Sequence, residues 1–121
     1  WGYAKEFVEG MYLSLQAEKS EDYVFATGKK TKVRNFIENS FRVININLRW
    51  EGESENLKAY DDHSGELMVC INPKFYRPIE IKSACGNPAK AKEKLNWVSN
   101  LDYKQISEIM VRSDIEKLRH A

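Results

Sequence analysis

Arg77 and Glu80 stand three residues apart in the run Asn72-Pro73-Lys74-Phe75-Tyr76-Arg77-Pro78-Ile79-Glu80. A guanidinium fork matches the paired oxygens of a phosphate or pyrophosphate, and a carboxylate matches a pair of sugar hydroxyls. Pro78 lies between them and fixes one backbone dihedral, which holds the two heads in a set relation at low entropic cost. The pattern points to a clamp for a nucleotide sugar rather than to a catalytic machine. A plain surface ion pair is the competing reading of the same residues.

A second group is basic. Lys29, Lys30, Lys32 and Arg34 cluster where a helix is expected to begin, and a helix start with cationic side chains holds phosphate. For the lysines a solvated charged turn explains the cluster equally well. Arg34 differs, because Val33 and Phe36 beside it offer packing that would fix its side chain. Asp61, Asp62 and His63 read as a solvated loop rather than as acid–base machinery. The two histidines, His63 and His120, and the two cysteines, Cys70 and Cys85, form no metal-ligand spacing. Gly28-Lys29-Lys30 lacks the further glycine of a phosphate loop. Trp50, Trp97 and Tyr103 read as core or interface aromatics. Trp1 and Tyr3 are expected to face a part of the protein outside this chain.

The elements that position these groups follow from periodicity and punctuation. Residues 3–18 place Ala4, Phe7, Val8, Met11 and Leu15 at helical spacing, with Gly10 tolerated through close packing. Residues 22–26 are aromatic and β-branched and read as a strand. Thr31 is the expected cap of a second helix, whose buried stripe is Val33, Phe36, Ile37 and Phe41. Alternation over 45–50 predicts a half-buried strand, and 51–65 reads as a polar loop. Residues 66–72 form the third predicted strand, in which Cys70 is expected to be a buried thiol. Pro73 and Pro78 exclude a continuous helix between them. Asn87 caps a short helix over 89–95 with Pro88 at its first position, and Trp97 follows as an anchor. Asp102 and Gln105 form a capping box for the last helix, with Ile106, Ile109, Met110 and Ser113 on one face. Three short strands and four helices make an α+β unit.

The chain has 121 residues, enough for one small domain or a piece of a larger one, and residues 1–121 are read as a single unit. A net charge of +1 gives no electrostatic case for nucleic acid, which is not an expected partner. No apolar run is long enough to span a bilayer, so no membrane is expected. Unpaired cysteines and the lack of any Asn-X-Ser/Thr acceptor favour a cytoplasmic setting. The sequence opens on Trp1 directly into a helical pattern, which suggests a fragment. Three strands are few for an independent sheet, which also points to a larger partner domain.

Taken in order, the segments carry a resemblance. Trp1-Gly2-Tyr3-Ala4-Lys5-Glu6-Phe7-Val8-Glu9-Gly10-Met11 resembles the segment RDWGYAKDYVEAMW of GDP-mannose 4,6-dehydratases from its Trp onward. Tyr23-Val24-Phe25-Ala26-Thr27-Gly28 and Val33-Arg34-Asn35-Phe36 are similar to that family's ATG…SVREFV, and Trp50-Glu51-Gly52 to its WEG. Phe75-Tyr76-Arg77-Pro78-Ile79-Glu80 resembles YYRPTEV. Lys90-Ala91-Lys92-Glu93-Lys94-Leu95-Asn96-Trp97 resembles KAKxKLxW, and Glu108-Ile109-Met110-Val111 resembles REMV. RPxE alone also occurs in related epimerases and dehydratases; its combination with WGYAK and VRxF is more specific.

The resemblance implies the small C-terminal substrate-binding lobe of an extended Rossmann-type short-chain dehydrogenase/reductase, with the N-terminal Rossmann domain absent from this chain. It implies a lyase that oxidises C4 of the mannose with NADP, eliminates water across C5 and C6, and returns the hydride to C6. NADP and the catalytic residues would then belong to that N-terminal domain, leaving this piece inactive alone. It also implies a GDP-sugar as the substrate partner and a homo-oligomer for the full-length protein. Carried over by position, Arg77 would contact the GDP pyrophosphate and Glu80 the ribose. Lys32 stands where the family has Ser, Asn35 where it has Glu, and Lys82 where it has Asp. Those changes bear on sugar preference and leave Arg77 and Glu80 untouched. A related GDP-sugar dehydratase or epimerase, acting for example on a GDP-manno-heptose, and a non-catalytic nucleotide-sugar-binding module are the alternatives.

Overall fold

The computed structural model describes residues 1–77 and 83–120. In chain order these form helix α1 (Ala4–Leu15), helix α2 (Val33–Val43), strand β1 (Leu48–Glu51), strand β2 (Lys58–Asp61), strand β3 (Leu67–Cys70), helix α3 (Ala89–Leu95) and helix α4 (Tyr103–Arg119). Single 3-10 turns lie at Ser54–Asn56 and Pro73–Phe75. The class is α+β, as the punctuation predicts.

Trp97 organises the first cluster. Asn96 ends α3 with a left-handed φ of 53°, which Asn tolerates better than most residues. That turn, closed by Trp97 N–H donating to the Ala91 carbonyl at 3.3 Å, aims the indole inward. Trp97 is buried, and both Phe7 and Phe25 meet it edge-on, at centroid separations of 5.4 and 4.9 Å. Gly10 is buried on α1 because a Cβ there would come within 2.7 Å of the Phe25 ring and 2.9 Å of the Trp97 indole nitrogen. The tolerance for a mid-helix glycine therefore has the steric cause the sequence suggested.

Glu6 locks α1 to the chain after Trp97. Its carbonyl accepts from the Trp97 indole N–H at 2.7 Å. Its carboxylate accepts from Ser99 Oγ at 2.9 Å, from Asn100 N–H at 3.1 Å and from Leu101 N–H at 3.3 Å. The following helix starts on the predicted capping box: Asp102 Oδ1 accepts from Lys104 and Gln105 N–H, while Gln105 Oε1 accepts from Asp102 N–H. Helix α4 then packs on α2, with Asn39 Nδ2 donating to the buried Ser107 Oγ at 2.7 Å and to the Lys104 carbonyl at 3.2 Å.

The sheet is antiparallel in the order β1-β2-β3. Trp50 faces Ala59, and Ala59 faces Val69; Tyr60 then faces Leu67, so Met68 is the extra residue of a bulge. Gly52, at φ 77°, starts the β1–β2 connection, where a Cβ would strike the Asn56 carbonyl.

Several expectations are corrected. Residues 22–26 form no strand; Phe25 packs on Gly10 and Trp97 instead, and Lys90 lies over the Tyr23 ring while pairing with Glu21 at 2.8 Å. The polar stretch 51–65 contains β2, whose polar residues pair by backbone ladders that need no apolar side chains. The predicted strands at 45–50 and 66–72 are trimmed to Leu48–Glu51 and Leu67–Cys70, and α1 stops at Leu15. Lys32, not Thr31, is the cap of α2, without a side-chain bond, because Thr31 stands one residue too early. Pro88, not Asn87, is the cap of α3, and the helix opens at Ala89; Asn87 Oδ1 still accepts from Ala89 N–H at 3.0 Å from one residue before the cap. Cys70 is exposed, since it ends an edge strand. Val33 is exposed beside the half-buried Phe36, Ile37 and Phe41, and Ile109 and Met110 are exposed while Ser107 takes the inward position. Trp1 does not stand free for an outside partner alone: its ring stacks on Phe36 at 4.2 Å. No described helix is long and apolar enough to cross a membrane.

Candidate functional site

The N-terminus of α2 opens onto a cleft of about 620 Å³ lined by Trp1, Lys29, Lys30, Thr31, Lys32, Asn35, Ser83 and Ala84. Trp1 reaches it because its ring lies on Phe36, one turn into α2. The segment before α2 turns through Gly28 at φ 68°, with Thr27 Oγ1 accepting from Lys29 N–H at 3.3 Å, so Lys29 and Lys30 are delivered beside the helix start. Lys30 Nζ donates to Ser83 Oγ at 3.3 Å, tying the two walls together.

Among the described residues, the charges lining the cleft have one sign. Lys29, Lys30 and Lys32 line the cleft, and the positive end of the α2 dipole adds partial positive charge. That first turn carries no acidic residue. Among the described residues no carboxylate, histidine or thiol lines the cleft, so it is equipped to bind an anion rather than to move protons. A neighbouring cleft of about 380 Å³ shares Trp1, Lys29 and Ala84 and adds Gly86 and Cys85.

Arg34 lies beside this cleft rather than on its lining. Its Nε donates to Glu38 Oε1 at 3.0 Å, and its guanidinium carbon sits 4.8 Å from the centre of the Trp50 ring. Packing does hold it, as its apolar neighbourhood suggested, but through an aromatic partner from β1. Trp50 Nε1 is buried without a hydrogen-bond partner among the described residues.

Arg77 is exposed and follows the Pro73–Phe75 turn, which Asn72 opens by accepting from Lys74 N–H at 3.0 Å. No ion pair of Arg77 falls among the described residues, and it does not line the α2 cleft. Glu80, with Pro78 and Lys82, lies outside the described residues. Trp1 and Ser83 line the cleft although sequence reasoning did not place them in a binding site, and Asn35, already tied to sugar preference, lines it with them. No local signal marks Trp1 and Ser83 for it, because they converge from separate segments.

Asp61 ends β2, and Asp62 and His63 follow it in the β2–β3 turn. Asp61 accepts from His63 N–H at 3.0 Å and from Ser64 Oγ at 2.7 Å, and these bonds, the backbone one foremost, hold its carboxyl below the ordinary aspartate range. The trio is therefore a structured turn. Among the described residues no group of three His, Cys, Asp or Glu side chains could hold a metal ion.

A dinucleotide cofactor does not fit the described residues. Such a site needs closely spaced glycines that let backbone approach a pyrophosphate. Among the described residues Gly28 is the one glycine adjoining the cleft's lysines in sequence, and a Cβ on it would meet only Pro88 at an ordinary 3.6 Å.

The family model described as GDP-mannose 4,6 dehydratase matches residues 1–110. The chain is 42% identical to a GDP-mannose 4,6 dehydratase of Dictyostelium discoideum, over 99% of its own length and 34% of the relative's. It is 40% identical to the human protein of that name, over 98% of the chain and 32% of the relative. A Sinorhizobium fredii relative of the same name is 34% identical, over 98% and 34%. The chain thus spans about a third of the length of the curated relatives it matches.

Proposed function

The chain belongs to the GDP-mannose 4,6-dehydratase family, and from that membership we propose that it is the substrate-binding portion of an enzyme turning GDP-mannose into GDP-4-keto-6-deoxymannose. The single observation that carries this reading is the family match over residues 1–110, a span that includes the RPxE run. Three lysines at the start of a helix, facing a cleft that no described carboxylate, histidine or thiol lines, support a binding role over a catalytic one.

In this reading Arg77 grips the pyrophosphate and Glu80 accepts from the ribose hydroxyls. The α2 cleft supplies the positive field that draws the anionic substrate in. Arg34 is a further contact: its i,i+4 pair with Glu38 is solvent-exposed and weak enough to exchange for a phosphate oxygen. NADP, the Rossmann domain and the redox steps belong to chain beyond these residues, and the full-length protein is a homo-oligomer. The setting is cytoplasmic.

A related GDP-sugar is the second reading, favoured by Lys32 and Asn35. Both line the cleft and both depart from the family's Ser and Glu.

Turnover of the full-length protein with GDP-mannose and with GDP-manno-heptose, followed by mass spectrometry for loss of water, separates the two. Loss of water from neither sugar refutes the enzymatic reading. Within it, Arg77→Ala is expected to weaken GDP binding by about 1–3 kcal/mol, the worth of a charge-assisted contact. Calorimetry giving an unchanged GDP affinity would remove Arg77 from the site.

A further inference from the structure

Among the described residues, Trp50 Nε1 is the one buried side-chain polar atom without a hydrogen-bond partner. A buried donor left unpaired is unfavourable, and a phenylalanine at this position would pack without that penalty. What the indole offers beyond its N–H is the face of its ring, which attracts a cation more strongly than any other aromatic side chain. The Arg34 guanidinium carbon lies over that face, 4.8 Å from the ring centre.

The sheet fixes the ring. Trp50 pairs in register with Ala59, which is fully buried, and Ala59 pairs with Val69. Opposed residues of neighbouring strands share a face, so the small Ala59 leaves room there for an indole. Arg34 comes from the first turn of α2, and its two holders differ in kind. Glu38 accepts from Nε at 3.0 Å, so it competes with any incoming oxyanion for the edge of the guanidinium. Trp50 holds the cation through a ring face and leaves that donor edge to other partners. No hydrogen bond from the terminal nitrogens of Arg34 falls among the described residues.

We infer that Trp50 is a positioning residue for Arg34: its ring keeps the guanidinium in place while Glu38 gives way to a phosphate oxygen of the nucleotide sugar. This rests on the proposed function, in which Arg34 is a phosphate contact. A long side chain released from its carboxylate would otherwise regain rotamer freedom, and binding would have to order it again. The indole limits that loss in advance.

GDP binding to the full-length protein, measured by calorimetry, tests the role through a double-mutant cycle. Arg34→Gln is expected to weaken binding about tenfold, the worth of a charge-assisted contact. Trp50→Leu is expected to weaken it about fivefold alone and less than about twofold in the Arg34→Gln background, because its effect passes through the arginine. Trp50→Phe keeps a ring face and should bind GDP within about twofold of the wild-type protein. Equal losses from Trp50→Leu in both backgrounds, or none in either, overturn the inference, as does an Arg34→Gln variant that binds GDP normally. If Trp50→Leu does not fold, fluorine NMR of protein carrying 5-fluorotryptophan decides, with the Trp50 signal assigned by its absence from Trp50→Phe. Saturating GDP is expected to shift that signal in the wild-type protein and to leave it in place in Arg34→Gln. A signal that GDP does not move, or moves equally in both, overturns the inference. A protein that binds GDP with its Trp50 variants unaffected keeps the proposed function and loses the positioning role. A wild-type protein that binds no GDP refutes the proposed function itself, and the role with it.

Discussion

Glu6→Ala is the sharpest perturbation of this fold, because one carboxylate joins elements more than ninety residues apart. The substitution removes three hydrogen bonds to an ionised acceptor, each worth about 1.5–3 kcal/mol in a protein. Asn100 is exposed, so water recovers most of its loss, whereas Ser99 and Leu101 are half-buried and recover less. The three bonds share one acceptor group and are not additive. A cost of about 3 kcal/mol follows. Glu6→Gln keeps one carbonyl oxygen for the Asn100 and Leu101 N–H groups at roughly half the strength, and Ser99 Oγ turns to accept from the new amide. Its cost is about 1 kcal/mol. Hydrogen exchange reads these values locally, without assuming two-state unfolding of a longer protein. At about 1.4 kcal/mol per tenfold change, protection of the Leu101 amide should fall about a hundredfold in Glu6→Ala and about fivefold in Glu6→Gln. The indole N–H of Trp97, which bonds the Glu6 backbone, should keep its protection in Glu6→Gln. Equal losses in the two variants would refute the hydrogen-bond argument in favour of charge alone. A loss below about twofold in Glu6→Ala would remove the network from the account of the fold.

Gly10→Ala should destabilise by about 1–2 kcal/mol, since the 2.7 Å approach to Phe25 forces repacking that outweighs the roughly 1 kcal/mol gain in helix propensity; thermal unfolding checks the sign. Asp102→Ala should cost about 1 kcal/mol by removing the cap of α4, and Asp102→Asn should restore most of it in the same melt. The Asp61 carboxyl is held below its ordinary value by His63 N–H and Ser64 Oγ. Its folded pKa is depressed, so its contribution is present above the unfolded value and is lost as pH falls through the folded one. Exchange protection of the β2–β3 turn should therefore weaken on acidification below the usual aspartate range, and Asp61→Asn should flatten that profile. A turn whose protection ignores acid would contradict the assignment.

Helices were largely legible in the residue pattern. The Asp102–Gln105 box, the Asn87 side-chain bond before α3 and the Asn72–Pro73 start of the Pro73–Phe75 turn all depend on residues within a few positions of one another. The sheet was less legible. Lys58, Ala59, Tyr60 and Asp61 carry no apolar alternation, and only their pairing to β1 and β3 makes them a strand. Residues 22–26 show the converse: strong strand composition, but a ring at Phe25 claimed by Trp97.

Residue order alone carried the α+β class, the family to which the chain belongs and the residue types available to hold an anionic ligand. Those rest on local information: propensity, caps and an ordered series of motifs. Packing was needed to bring Lys29, Lys30 and Lys32 into one cleft with Trp1 and Ser83 and to turn Arg34 to Glu38 and Trp50. It also left α1 with an apolar face uncovered among the described residues. Each of those outcomes depends on which distant segments come into contact. Side-chain direction and burial are properties of that contact, and a one-dimensional pattern does not contain them.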